Sequence, residues 1–83
     1  MKLSLHPHAK ERLAERGATE AEVIQTVTSG EQFQAKFGRT GFRRNFRFQK
    51  NWRGRFYTTK QILAFADPEA GGWRVITVIV RYL

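Results

Sequence analysis

The chain contains no cysteine, so it has neither a disulfide nor a thiolate with which to bind a metal or attack a substrate. It also lacks a long apolar run, since the longest, residues 75–80, falls far short of the about 20 residues of a membrane helix. The first residues include no stretch apolar enough for a secretory signal. These absences predict a single cytoplasmic domain over residues 1–83, with no membrane segment.

A further absence has the largest consequence, because residues 32–66 contain no aspartate or glutamate. The same segment holds nine lysines or arginines and therefore carries a net charge of +9. Residues 1–31 carry −1 and residues 67–83 carry 0, so the +8 of the whole chain comes from one continuous block. A surface charged for solubility mixes both signs, whereas a block of one sign produces a local field that attracts polyanions.

Aromatic residues are interleaved with the cations of this block. The cations are Lys36, Arg39, Arg43, Arg44, Arg47, Lys50, Arg53, Arg55 and Lys60, and the rings are Phe37, Phe42, Phe46, Phe48, Trp52, Phe56 and Tyr57. Rings that stack on bases beside cations that meet phosphates are typical of single-stranded nucleic acid binding, so we predict RNA as a partner. Most of the phenylalanines of so small a domain are expected in the core, with Trp52 as the exposed ring. The predicted RNA contacts are Arg43, Arg44, Arg47, Lys50, Trp52, Arg53, Arg55 and Arg81.

Helix signals are confined to the first thirty residues. Pro7 suits the first turn of a helix that continues over residues 8–16 and ends at Gly17. Thr19 and Glu22 form the signature of a capping box, which predicts a second helix that ends at the next glycine.

The remainder has the composition and spacing of β-strands. Alternating segments are separated by turns at residues 49–54 and 67–72, and the β-branched segment 73–82 closes the sheet. The predicted fold class is α+β, with two N-terminal helices packed on one face of a four-stranded antiparallel sheet. Strand parity predicts that the other, open face carries Lys60, Thr77 and Arg81, together with Arg43 and Arg47.

The first predicted helix carries a polar stripe. His8, Arg12 and Arg16 are spaced by four residues, so each is displaced by only about 40° from the one before. An imidazole in this position is a candidate general base, and two guanidinium groups suit a phosphate. The structural alternative stays open, since the imidazole can cap helix N–H groups and the arginines can pair with Glu15 or Glu20. His6 and His8 are the only histidines, and a metal shell would have to borrow scattered acidic residues such as Asp67, so no metal site is predicted.

The segment H-A-K-E-R-L-A-E-R-G at residues 8–17, followed by T-E-A-E-V, resembles the start of a widespread bacterial family, domain of unknown function family 4258. Residues 75–78 resemble the last strand of that family, and residues 60–64 resemble the strand before it. The family is similar to the group of small ribonuclease toxins that includes RelE, barnase and the colicin-type nucleases. The resemblance implies an endoribonuclease that needs neither metal nor cofactor. Its implied catalytic residues are His8, Arg12, Arg16, Lys60 and Thr77.

Metal-independent RNA cleavage needs a base for the 2′-OH proton, cations for the phosphorane and an acid for the leaving 5′ oxygen. In the implied site, His8 is the base, the two helix arginines clamp the phosphate and Lys60 adds positive charge. Thr77 positions an oxygen, and Tyr82 or Tyr57 is the acid.

Three hypotheses follow for the function. The first is a metal-independent ribonuclease of the toxin type. The second is a non-catalytic RNA-binding module with the same cations and rings. The third is an interaction domain that docks an acidic protein, such as an antitoxin or immunity protein. The sequence indicates no oligomeric state.

Overall fold

The computed structural model describes residues 2–83, and these form an α+β domain of two helices and a five-stranded mixed sheet, so the predicted class is confirmed. The elements are β1 (Lys2–Leu5), α1 (Pro7–Arg16), α2 (Glu20–Ser29), β2 (Glu31–Gln34), β3 (Thr40–Trp52), β4 (Arg55–Glu69) and β5 (Gly72–Tyr82). A short 3-10 turn at Lys36–Gly38 joins β2 to β3.

Both helices begin and end where their capping residues predict. Pro7 is the first residue of α1, and Gly17 ends the helix at a φ of 75°, in the left-handed region that glycine adopts without a Cβ clash. At the start of α2, Thr19 Oγ1 accepts a hydrogen bond from the backbone N–H of Glu22, whose side chain in turn accepts one from the backbone N–H of Thr19. Gly30 follows α2 as its C-cap.

The sheet has the order β1-β5-β4-β3-β2, in which β1 is parallel to β5 and the other pairs are antiparallel. The prediction of four antiparallel strands is therefore wrong. The missed strand, Lys2–Leu5, has only four residues and is held by pairing with residues 72–75 at the other end of the chain. So short an alternation has no local signal, because its partner determines whether it is a strand.

One core cluster joins the helices to the sheet. Leu13 of α1 and Val23 of α2 belong to the same cluster as Ile62, Val75 and Val78. We call the side of the sheet that carries these residues the core face, and the opposite side the open face. A bulge places Val75 and Val78 on the core face together, since Phe65 pairs with Thr77 whereas Ala66 pairs with Val75.

The β3–β4 hairpin extends beyond the strands that flank it. β2 pairs with β3 only as far as Arg43, and β5 pairs with β4 only as far as Lys60. At the tip, Arg53 and Gly54 have φ values of 51° and 84°, the left-handed pair that a tight two-residue hairpin turn requires. The molecule is elongated, with extents of 41 × 24 × 23 Å, and the outer part of the β3–β4 hairpin lies beyond the neighbouring strands.

Gly17 and Gly54 give a matched pair of stability tests. A Cβ on Gly17 would lie 2.8 Å from the Trp52 ring and closer still to Tyr82 Oη, whereas a Cβ on Gly54 would meet nothing within 4 Å. We expect Gly54→Ala to lower the free energy of unfolding by about 1–2 kcal/mol through backbone strain alone. Gly17→Ala should cost a further ~1–3 kcal/mol from overpacking, as measured by urea denaturation. Equal losses in the two variants would contradict the packing of the α1 terminus against these rings.

Candidate nucleic-acid interface

The basic block is neutralised only in part by the protein's own carboxylates. Three of its cations form ion pairs: Arg39 with Asp67 at 3.2 Å, Arg43 with Glu31, and Lys60 with Glu22 at 2.7 Å. The other six form no ion pair with any residue between 2 and 83. These six are Lys36, Arg44, Arg47, Lys50, Arg53 and Arg55.

Five of these six cations lie in residues 44–55, the outer part of the β3–β4 hairpin, which we call the basic hairpin. Four of the five are exposed to solvent: Arg47, Lys50, Arg53 and Arg55. Their hydrogen bonds within the chain go to neutral groups, with Arg47 donating to Gln49 Oε1 at 3.0 Å and Arg53 to the Glu15 carbonyl at 3.0 Å. Arg44 donates to Ser29 Oγ. The positive charge of the hairpin therefore remains available to an external anion.

Aromatic rings form a cluster behind these cations. Phe48, Trp52 and Tyr57 surround the ring of Tyr82, with centroid distances of 5.2, 4.9 and 5.6 Å. Trp52 lies nearly parallel to Tyr82, at 15°, and is only partly exposed. The prediction of Trp52 as the exposed ring is therefore wrong, because Tyr82 and the bare Gly17 provide a packing site that is distant in sequence.

The rings of this cluster also contact three of the hairpin cations. The guanidinium of Arg53 lies 5.2 Å from the centroid of the Trp52 ring, and that of Arg55 lies 5.7 Å from the Tyr57 ring. The ammonium of Lys50 lies 5.9 Å from the Phe48 ring. Cation–π contacts at exposed sites contribute about 0.5–1 kcal/mol each, enough to bias the side chains without neutralising them.

Lys60 lies on the core face and not on the open face as strand parity predicted. Its side chain is almost fully buried, and its Nζ donates to the Gly17 carbonyl at 2.9 Å and contacts both carboxylate oxygens of Glu22. Both parities of β4 are apolar, with Ile62 on one and Leu63 on the other, so periodicity could not assign the face. The ammonium is fully engaged within the protein.

Tyr82 joins the end of α1 to the last strand. Its hydroxyl donates a hydrogen bond to the Arg16 carbonyl at 2.7 Å. Burial raises the pKa of Tyr82, the nearby Glu22 carboxylate raises that pKa further, and Arg53 opposes the shift. The phenol therefore remains protonated at neutral pH and acts as a hydrogen-bond donor.

The five residues of the implied catalytic set lie in different parts of the molecule. Arg16 donates from Nη1 to the Val78 carbonyl, close to Lys60, which bonds to the adjacent Gly17. His8 is exposed eight residues earlier on α1, about 12 Å along the helix axis.

Arg12 and Thr77 complete this set. Arg12 stands between His8 and Arg16 with its Nε 3.9 Å from Glu15 Oε2. Thr77 is exposed on the open face, beside Phe65. Arg16 and Lys60 are thus both bonded to groups within the chain, and Thr77 lies on the opposite face of the sheet from Lys60.

The basic residues predicted for the open face lie on two strands, β3 and β5. Arg43, Asn45 and Arg47 follow one another on this face of β3, and Arg81 lies across β4 from Asn45, in register with Gln61. Arg43 is tied to Glu31, whereas Arg47 and Arg81 are exposed.

A groove of about 440 Å³ at the other end of the open face was missed by sequence reasoning. Phe33 and Phe65 form its wall and the exposed Phe37 its rim, with Lys36 and Arg39 beside them. The alternation along the last two strands could have placed Phe65 and Thr77 together on the open face. The turn at Lys36–Gly38 interrupts the alternation after Phe33, so the sequence pattern could not place Phe37 on the same face.

Within residues 2–83, no three histidine, aspartate or glutamate side chains are grouped closely enough to hold a metal ion. No helix in the described part of the chain combines the length and apolarity needed to span a membrane. In comparisons with models of protein families, with curated proteins and with solved structures, the chain gives no match. The chain's own residues are therefore the basis for assigning a function.

Replacing Lys60 tests whether the buried ion pair is structural. Lys60→Met leaves Glu22 without its partner in a largely buried site, and we expect a loss of about 3 kcal/mol in the free energy of unfolding. Adding Glu22→Gln should restore much of this loss, because the uncompensated charge is removed while the capping box is retained. Lys10→Met, which breaks the exposed pair with Glu20, is the control and should cost less than ~1 kcal/mol. Urea denaturation measures all four chains.

The raised pKa of Tyr82 predicts a pH dependence of stability. The folded state holds this proton more tightly than the unfolded state, so its contribution is complete below about pH 10 and is lost as pH rises through the folded pKa. We expect the Tyr82→Phe variant to lose stability less steeply than wild type above this pH. The difference in absorbance titration at 295 nm between the two proteins should give a pKa for Tyr82 above 10.0. A difference titration at or below that value would contradict the burial of the phenol.

Proposed function

We propose that this domain binds single-stranded RNA through the basic hairpin, and that binding requires no catalytic step. The observation that carries the proposal is the set of exposed cations in residues 44–55, a segment without a single carboxylate. Phosphates replace the missing counterions, and displacement of condensed ions from RNA favours the complex. Like charges held close together in the free protein repel one another, so binding also relieves this repulsion.

The surroundings of the hairpin favour a single strand over a duplex. Phe56 is 58% exposed and pairs across the hairpin with the exposed Asn51. An exposed ring stacks on an unpaired base, and an amide forms hydrogen bonds with a base edge. In an intact A-form helix the bases lie in a deep, narrow major groove, where these two side chains cannot reach them.

Cleavage is not favoured over binding by any contact of the implied catalytic residues. Lys60 and Arg16 are bonded to groups within the chain, and Thr77 is on the other face of the sheet from Lys60. Binding through the hairpin needs none of these residues. An acidic protein partner, such as an antitoxin or immunity protein, would meet the same positive field, but it would make no use of an exposed ring for base stacking.

A triple substitution in the hairpin tests the site. We expect Arg47→Gln/Lys50→Gln/Arg55→Gln to weaken binding to an unstructured RNA and to reduce the slope of log K against log salt concentration by about 2, since each phosphate contact contributes ~0.7. The control, Lys2→Gln/Lys10→Gln/Arg74→Gln, removes the same net charge elsewhere and should leave the slope almost unchanged. Fluorescence anisotropy over a series of salt concentrations measures both. Equal reductions would show that total charge, and not the hairpin, determines binding.

Incubation with total RNA in EDTA separates binding from cleavage. We expect the wild-type chain to retard RNA in a gel without shortening it, and His8→Ala and Arg12→Ala to behave like wild type. Metal-independent cleavage that is lost in both variants would establish the ribonuclease hypothesis instead. An absence of binding even at low salt would remove both RNA functions and leave the acidic protein partner.

A further inference from the structure

We infer that the open-face groove at Phe33, Phe37 and Phe65 is a second subsite of the same surface, which holds a base of the RNA strand bound by the basic hairpin. This inference rests on the proposed function and adds to it a defined base-stacking position. It assigns a role to three aromatic residues that neither the core nor the hairpin uses.

Phe37 is the first observation. Its ring is 89% exposed, so it contributes almost nothing to the core. Its backbone has φ 61° and ψ 31°, the left-handed conformation that is unfavourable for a residue with a Cβ. Glycine or asparagine would suit both the conformation and the exposure better. A strained, solvent-exposed aromatic residue is a feature that binding sites retain and that folding alone does not require.

The groove itself has the shape and chemistry for an aromatic ligand. Phe33 and Phe65 pack edge to face, with centroids 6.0 Å apart, and together form an apolar wall next to Phe37. The guanidinium of Arg43 lies 5.2 Å from the Phe33 ring centroid. Thr77 adds a hydroxyl at the lining. The volume of about 440 Å³ accommodates a flat heterocycle between the wall and the exposed ring.

The charge at the rim selects an anionic aromatic ligand over a neutral one. Lys36 forms no ion pair with the residues that the structure describes, and it is exposed beside Phe37. Arg39 also lines the groove and forms an ion pair with Asp67 at 3.2 Å, so that carboxylate is already paired with a cation. A base between apolar walls, with its phosphate near Lys36, satisfies both parts of the site. A neutral apolar segment of a protein would leave the cation unused.

A continuous path joins the groove to the basic hairpin. Gly41 lies at the groove end of β3, in register with Phe33 and Phe65, and Arg43, Asn45 and Arg47 follow it on the same face. At about 3.3 Å per residue, the stretch from 41 to 47 spans roughly 20 Å. One strand of RNA can therefore contact the hairpin with its phosphates and place a base in the groove, which makes the two subsites parts of one site.

The test compares substitutions of Phe37 on two polyanions, one with bases and one without. The probes are a fluorescein-labelled uridine oligonucleotide of about 12 nucleotides, a length within the range that single-strand binding domains cover, and labelled inorganic polyphosphate. The variants are Phe37→Ala, Phe37→Trp, and Ile24→Ala as a control, since Ile24 is an exposed apolar residue on α2. We expect Phe37→Ala to weaken oligonucleotide binding on the order of 5- to 100-fold with an unchanged salt slope, and polyphosphate binding to stay as in wild type. Phe37→Trp should bind at least as tightly as wild type.

Each outcome has one meaning for this subsite. Oligonucleotide binding by Phe37→Ala equal to that of Ile24→Ala, while wild type still binds RNA, would overturn the groove and leave the proposed function intact. Equal losses on oligonucleotide and polyphosphate would overturn base recognition, because the effect of Phe37 would then not depend on bases in the ligand. A wild-type chain that binds neither probe would overturn the proposed function and the subsite together. Circular dichroism should show all variants folded, since neither substituted side chain is buried.

Discussion

The contact between the end of α1 and the base of the β3–β4 hairpin is the constraint on which the rest of the structure depends. The Lys60 ammonium bonds to the Gly17 carbonyl and the Glu22 carboxylate, so one buried cation connects both helices to β4. Tyr82 donates to the Arg16 carbonyl alongside it, and Trp52 stacks on Tyr82 where Gly17 has no side chain. Without this junction the outer hairpin would be a two-stranded ribbon, which is marginally stable in water.

The same junction separates two kinds of positive charge. Lys60 has lost its water and exchanged it for bonds within the protein, so its charge is structural. The cations of the basic hairpin keep their water and have only neutral partners, which makes them available to phosphate. A single segment without carboxylates thus serves both folding and the proposed binding, and burial decides which cation does which.

The local features of the fold could be predicted from the sequence, and the long-range ones could not. Helix ends depend on residues within one turn, so Gly17 and the Thr19–Glu22 capping box identified them. The charge block is a property of composition and needed no fold. In contrast, β1 is defined by pairing with residues about seventy positions away, and the face of Lys60 depends on which parity of β4 the helices cover. The groove at Phe37 combines residues from three strands and an irregular turn, and no local pattern links them.

Amide chemical shifts recorded during titration with an unstructured RNA oligonucleotide test the central claim most directly. The proposed site predicts progressive changes in residues 44–57 and along the open face of β3, with the outer surface of α2 unaffected. Changes confined to α1 around His8 and Arg12, or spread evenly over every basic residue, would contradict binding through the basic hairpin.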